Sequence, residues 1–169
     1  MQFRQKVVVV PCTRDPNTGE LVHVMVKDTA SREWGYIIGG KKASDKSFNH
    51  AAWRELQEET NSCLYKNKRK PTWKDLIEMD TYRTSYRPQE LLEQDRREGI
   101  RVESYYKIFV IHIDYDPNLR KTFSRGQNSE TDSIRYWGID KNPDNTWWDF
   151  CKREIYPIIG TLHLEEYFR

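Results

Sequence analysis

Apolar positions along this chain fall in short runs separated by polar turns. Residues 6–11 (KVVVVP) form a β-branched run that predicts a buried strand. The turn at residues 15–19 (DPNTG) leads to a hairpin partner over residues 21–26. Residues 33–38 (EWGYII) predict a third strand, which ends at Gly39-Gly40. Helical spacing covers residues 47–60, with Ser47 or Asp45 placed to cap it. A basic loop (KNKRK, 66–70), a short helix (71–79) and an alternating strand (80–87) follow. The polar segment 88–99 fits either a short helix or an excursion between strands. The strongest strand pattern lies within 102–115 (YYKIFVIHIDY), followed by a long loop over 116–131 and a strand over 134–139. The C-terminus reads as helix, broken or kinked near Pro157 and Gly160. Mixed strands and helices with hairpin-style connections predict α/β layers around a mixed sheet. With no internal repeat, low-complexity tract or linker, residues 1–169 are expected to form a single domain.

Composition narrows this picture only a little. A chain of 169 residues with 37% hydrophobic and 32% charged residues suits one polar-surfaced globular domain. Aromatic residues reach 13%, and most are expected to fill a core in which Leu and Ile are scarce. The net charge of +2, from 28 basic and 26 acidic residues, gives no ground for duplex DNA binding. Cys12, Cys63 and Cys151 match neither a zinc pattern nor a disulfide framework and read as free thiols. No apolar run is long enough for a signal peptide or a membrane span, so an intracellular, cytoplasmic protein is expected.

The helix over 47–60 carries the candidate chemistry. At about 100° per residue, Glu55, Glu58 and Glu59 share one arc, while Trp53, Leu56 and Thr60 face another way. Like charges at this spacing repel by a few tenths of a kcal/mol per pair, which Arg54 offsets in part by pairing with Glu58. Most Glu-rich helices simply present such a face to water. A self-repelling cluster of carboxylates also suits Mg²⁺ or Mn²⁺, which take oxygen ligands and bridge to phosphates. The upstream double glycine lets backbone approach an anion closely. Together these parts fit metal-assisted cleavage of a phosphoanhydride.

Gly40 followed by Arg54-Glu55-Leu56-Gln57-Glu58-Glu59-Thr60 resembles the Nudix box: Gly, five residues, Glu, seven residues, then REUxEExGU, with U a bulky aliphatic. Gly39, Ser47, Phe48, Ala51 and Ala52 also match residues common in that family. The resemblance implies a Nudix-type α/β/α sandwich around a mixed sheet and a pyrophosphohydrolase dependent on Mg²⁺ or Mn²⁺. It implies metal ligation by Glu55, Glu58 and Glu59 with Gly40, Glu55 being a ligand or a base beside the ligands, and Arg54 orienting the carboxylates. The family often adds a loop Glu as ligand or general base. Here Glu130, in Asn128-Ser129-Glu130-Thr131 before the IRYW strand, is the candidate, with Glu103 as second choice and a plain loop acid as the bland reading. Gly39, Lys41, Lys46 and Trp34 are the expected substrate contacts.

Three positions depart from the box. Asn61 replaces its last Gly and tolerates the left-handed conformation expected there. Ser62 replaces the closing aliphatic residue. Lys46 stands where the first box Glu braces the Arg, so either Asp45 takes over the brace or Lys46 meets a substrate phosphate as a point charge.

Trp34-Gly35-Tyr36 is similar to a stretch of mRNA-decapping and some viral Nudix proteins. That likeness implies a nucleotide or capped RNA substrate, with Trp34, Tyr82, Tyr86 or Trp147 as a stacking residue unless these belong to the core. The KNKRK loop is either an RNA-backbone contact or a solvated turn. In size and in its many divergent residues the chain as a whole resembles family members from a large DNA virus or phage, which would place the protein in host cytoplasm. Many family members are homodimers, although no segment here declares an interface. Three readings stand: capped-RNA hydrolase, small-nucleotide pyrophosphatase acting on ADP-ribose, a dinucleoside polyphosphate or a nucleoside triphosphate, and an inactive binding module for RNA or nucleotides.

Overall fold

The computed structural model describes residues 2–84, 86–87, 89–99 and 102–169, with side chains omitted at 2 and 89–91. Strand β1 (Gln2–Arg14) runs through the middle of the sheet. Val7 and Val9 are fully buried on one face, and Val8, Val10 and Cys12 on the other. A strand covered on both faces needs the continuous apolar run seen in its sequence. It runs parallel to β6 (Val102–His112), from Gln2 opposite Val102 to Cys12 opposite His112. Strand β5 (Ile77–Thr84) pairs antiparallel on the outer side of β6.

On its other side β1 is shared by two antiparallel partners. Its Lys6–Val9 stretch takes β4 (Ile37–Gly40), and its Cys12–Arg14 end takes β2 (Leu21–Asp28). Strand β2 also pairs with β3 (Trp34–Gly35) and β7 (Thr131–Gly138). Because β2 and β4 hold successive halves of β1, the sheet opens between them. That opening positions the candidate site.

Helices cover both faces. On one, α1 (Phe48–Glu59) buries Ala51, Ala52 and Leu56 against Val7, Val9 and Ile37, and Leu119 and Phe123 of α3 (Leu119–Phe123) join the same core. On the other, Trp147, Phe150, Ile155, Ile159 and Leu164 cover Val8, Val10, Met25 and Tyr36. These come from the C-terminal segment: a π-helical turn (Cys151–Ile155), α4 (Tyr156–Thr161) and α5 (Leu164–Tyr167). The result is the expected α/β/α sandwich around a mixed sheet. All three cysteines are buried and unpaired. Among the described residues no helix is long and apolar enough to cross a membrane.

Two element expectations are corrected. The short helix expected over 71–79 is only a 3-10 turn, Trp73–Asp75. Asp75 accepts from the Thr72 amide at 2.8 Å, which closes a single turn. Ile77 and Glu78 then join the ladder opposite Val110 and Phe109, and this pairing overrides the local helical pattern. The loop expected over 116–131 contains α3, because Asp116 accepts from the Asn118 amide and the Thr122 hydroxyl, both at 2.7 Å. Leu119 and Phe123, four residues apart, then face the core together.

Segment 88–99 contains helix α2 (Gln89–Arg97). Pro157 lies inside one helical run over 149–161, directly after its π-helical turn (Cys151–Ile155), the irregularity that accommodates the missing amide near the expected break. Ser85, in the strand expected over 80–87, and Pro88 lie outside the described residues.

Candidate metal centre and nucleotide cleft

Local chemistry fixes both ends of α1. Ser47 caps its start, its hydroxyl accepting from the His50 amide at 3.2 Å. After the helix, Asn61 and Ser62 both adopt left-handed backbone, with φ of 55° and 54°. Asn61 then holds two other segments. Its side-chain nitrogen donates to the Phe123 carbonyl at 3.1 Å, and its oxygen accepts from Asn128 at 2.7 Å. The Asn128 oxygen accepts from the amides of Glu130 and Thr131 at 2.8 and 2.7 Å. Thr131 closes the circuit by donating its hydroxyl to the Glu59 carbonyl at 2.6 Å. The loop bearing Glu130 is therefore tied directly to the end of the acidic helix.

This brings Glu55, Glu59 and Glu130 together, with a carboxylate oxygen from each within 4.8 Å of the others. Glu55 and Glu59 are buried one turn apart on α1, and Glu130 is exposed. Burial pushes the Glu59 carboxyl well above the usual carboxylate range, and the neighbouring Glu55, Glu130 and Glu58 charges push the same way. Burial also raises Glu55, against the pull of Arg54. The Glu59 Oε2 atom is buried with no hydrogen-bond partner among the described residues. A buried, unpartnered carboxylate oxygen facing two further carboxylates is costly alone and is a fitting donor set for a hard divalent cation.

Arg54 organises the rest. Its Nε and Nη2 donate to the two Asp45 oxygens at 3.0 and 2.9 Å, a bidentate pair. Nη2 also donates to the Gly40 carbonyl at 2.8 Å, and Nη1 to Glu55 and Glu58 at 2.9 and 3.2 Å. This pairing holds Asp45 down to about 2. Of the two alternatives for the missing box Glu, the observed brace is Asp45. Lys46 is exposed.

The remaining expected site residues are placed as follows. Glu58 is exposed on the Arg54 side of the helix and is not one of the three converging carboxylates. Gly39 lies against Glu55: a Cβ there would sit 1.9 Å from its carboxyl carbon. The Lys41 amide donates to Gln5 at 2.9 Å, and its ammonium lies 5.7 Å from the Phe48 ring centre. Glu103 pairs opposite Phe3 in the β1–β6 ladder and is outside the carboxylate group. Trp34 is buried, with the Arg135 guanidinium 4.1 Å from its ring centre, so it serves the core. Trp147 is core as well, at 1% exposure.

A cavity of about 300 Å³ adjoins Glu59 in the opening of the sheet, lined also by Asp28, Glu33, Tyr36, Thr131 and Trp148. Trp148, at 37% exposure, is the accessible aromatic here. Of the four aromatics expected either to stack on a base or to belong to the core, Trp34 and Trp147 belong to the core, and a Trp-Trp pair does not reveal from sequence which ring faces inward. Sequence reasoning also passed over Asn128 and Lys6. Burial lowers the Lys6 ammonium, which lies close to Gly40, while Glu55 opposes that shift. The alternation of the first strand would have put Lys6 on a definite face, but not beside this site.

No protein-family model matches the chain, and no curated protein does. Solved structures do match its fold. A MutT/nudix family protein from Enterococcus faecalis aligns with a TM-score of 0.55 at 11% identity, over 82% of this chain and 44% of that one. The NUDIX domain of Shewanella oneidensis NrtR, complexed with ADP ribose, aligns with a TM-score of 0.52 at 15% identity, over 82% of this chain and 74% of that one. A C. elegans Ap4A hydrolase aligns with a TM-score of 0.58 at 12% identity, over 98% and 99% of the two chains. The chain thus spans less than half of the Enterococcus protein and nearly all of the C. elegans one. At these identities the likeness concerns architecture, and the architecture of this chain is the Nudix fold.

Proposed function

We propose that the chain is a Mg²⁺- or Mn²⁺-dependent pyrophosphohydrolase acting on a nucleoside diphosphate linked to a second group. The convergence of Glu55, Glu59 and Glu130 beside the cavity, with Glu59 Oε2 buried and unpartnered, carries this reading. Glu55, Glu59 and Glu130 would hold the cation, with Glu58 and the second lone pair of the Gly40 carbonyl at its margin. When bound, the ion polarises phosphoryl oxygens and lowers the pKa of a water. Arg54 fixes Glu55 and Glu58 by hydrogen bonds while Asp45 neutralises it. Glu130, the exposed member, would hold the cation through one carboxylate oxygen and offer the other as the proton acceptor. Trp148 offers its face to the base, and Lys46 and Lys41 are the cations for distal phosphates.

Ap4A hydrolysis by one neighbour and ADP-ribose binding by another favour small nucleotides as a substrate class. Capped RNA is the second reading, favoured by the rigid basic turn at 66–70. There the Asn67 and Lys68 amides donate to Asp114 at 2.9 and 2.8 Å, leaving the side chains exposed. The test is product analysis on capped RNA, Ap4A, ADP-ribose and nucleoside triphosphates with each metal. Release of a nucleoside mono- or diphosphate, lost in Glu59→Gln, is expected. Full turnover in Glu59→Gln would refute the site. Tight nucleotide binding with no turnover on any substrate would leave the fold as a binding module.

A further inference from the structure

Lys6 stands on β1 opposite Gly40 of β4. Its ammonium reaches over that glycine: a Cβ built on Gly40 would lie 3.8 Å from Lys6 Nζ and, its chain neighbours aside, would meet no other described atom within 4 Å. Ile38, two residues before Gly40 and on the same face of the sheet, lines the nucleotide cavity. Lys6 therefore sits at the next step along the cleft. The Glu55 carboxyl lies against Gly39 and attracts the Lys6 charge, but it is already paired with Arg54 at 2.9 Å. Lys6 is half-buried and has no acidic partner among the described residues. Arg4, two residues earlier on the same face of β1, is exposed and also has none among the described residues. Burial and the Arg4 charge both lower the Lys6 ammonium. Arg87, the other cation near Lys6, is buried against Asp95 at 2.6 Å. Two neighbouring cations without a counter-charge, one of them half-buried, favour an anion between them.

We propose that Lys6 and Arg4 form the subsite for a third phosphoryl group, so that the preferred substrates are nucleotides whose bridge carries three or more phosphates. This rests on the pyrophosphohydrolase reading above. The phosphoryl pair to be cleaved would lie at the three carboxylates and their cation. The bridge would continue over Gly40, where no side chain obstructs it, to the Lys6 ammonium. Lys6 meets the phosphate as a compact charge on a flexible stem. The Arg4 backbone is roughly 6.6 Å further along the strand, so its guanidinium would take the same phosphoryl group or the next. A bridge of two phosphates, as in ADP-ribose, would end before Lys6 and place an uncharged sugar there.

The experiment compares the full chain with its Lys6→Met, Lys6→Arg and Arg4→Ala variants in Mg²⁺. Kinetics on Ap4A and ADP-ribose are read beside calorimetric binding of inorganic tripolyphosphate and pyrophosphate. Lys6→Met is expected to lower the ratio of kcat/KM for Ap4A to that for ADP-ribose about tenfold, mainly through KM. Tripolyphosphate is expected to bind the parent about tenfold more tightly than pyrophosphate, and Lys6→Met should remove most of that difference. Arg4→Ala, at an exposed position, should show both effects at about threefold. Lys6→Arg keeps the charge and should recover most of the preference. The urea midpoint of Lys6→Met should hold or rise, because an unpaired half-buried ammonium is removed. An unchanged KM for Ap4A with unchanged tripolyphosphate affinity in folded Lys6→Met overturns the subsite and leaves the acidic centre standing. Equal losses on ADP-ribose and pyrophosphate overturn it as well, since the third phosphoryl group would then play no part. Turnover retained in Glu59→Gln refutes the acidic centre instead, and the tripolyphosphate measurement still decides the subsite.

Discussion

Arg54 is braced by Asp45, one residue before the position at which the box carries its Glu, through two parallel hydrogen bonds of 3.0 and 2.9 Å. The chain has moved the acid by one residue and freed position 46 for a lysine that points to solvent. Asp45→Ala leaves Arg54 half-buried without its main partner and is expected to cost about 1–3 kcal/mol in urea unfolding. Lys46→Glu is expected to change stability by less than about 0.5 kcal/mol, because the site is exposed and the brace is already made. If Lys46 serves a phosphate, Lys46→Ala raises KM and leaves the urea midpoint in place.

Asp45 and Glu59 shift in opposite directions, and their pH signatures differ. Asp45 is depressed to about 2, so its stabilisation is present above its unfolded value near 3.8 and is lost as pH falls towards 2. Glu59 is raised, so its unfavourable ionisation is absent below about 4.5 and costs stability as pH rises through its folded pKa. Metal-free protein is therefore expected to gain stability in Glu59→Gln at neutral pH and not at pH 4. Mg²⁺ or Mn²⁺ should raise the Tm of the parent at neutral pH and leave Glu59→Gln nearly unmoved. Differential scanning calorimetry across pH, with and without metal, checks both.

Gly39→Ala places a methyl group where the Glu55 carboxyl now lies, 1.9 Å from its carbon. Glu55 has to swing out of its contact with Arg54. Metal affinity is expected to drop at least tenfold, with a stability loss of only about 1–2 kcal/mol, as read by isothermal titration calorimetry beside urea unfolding.

Asn61→Gly restores the glycine of the family pattern. The left-handed backbone at φ 55° accepts glycine readily, yet the links to Phe123 and Asn128 vanish. Stability is expected to change by about 1 kcal/mol or less, while the loop carrying Glu130 loosens. Faster amide exchange at residues 128–131 and weaker metal binding are the readouts.

The paired tryptophans separate core from cleft. Trp147→Ala is expected to cost about 3–5 kcal/mol, as for a large buried ring. Trp148→Ala should cost under about 1 kcal/mol and raise KM for nucleotides with little change in kcat. A normal KM in Trp148→Ala would remove it from the cleft.

Much of this was legible in the residues. The apolar run at residues 6–11 is the central strand because only a strand buried on both faces uses consecutive valines. The Arg54–Glu59 stretch is a helix capped by Ser47, and Arg54 does reach Glu58. The expected helix over 71–79 failed because Ile77 and Glu78 are claimed by β6, a partner remote in sequence. Glu58 and Glu59 are equivalent by composition and adjacent in sequence. Only packing against the sheet buries one and leaves the other in water.

The sequence by itself determined the alternation of elements, the acidic helix and the glycines that admit it, because these follow from local periodicity and side-chain size. Tertiary structure decided which carboxylates meet. Glu130 joins Glu55 and Glu59 through hydrogen bonds of Asn61, Asn128 and Thr131 that link segments about seventy residues apart. It also decided that Asp45 braces Arg54 and that Trp148 faces the cleft. Such choices depend on where the chain returns in space, and no local pattern encodes that.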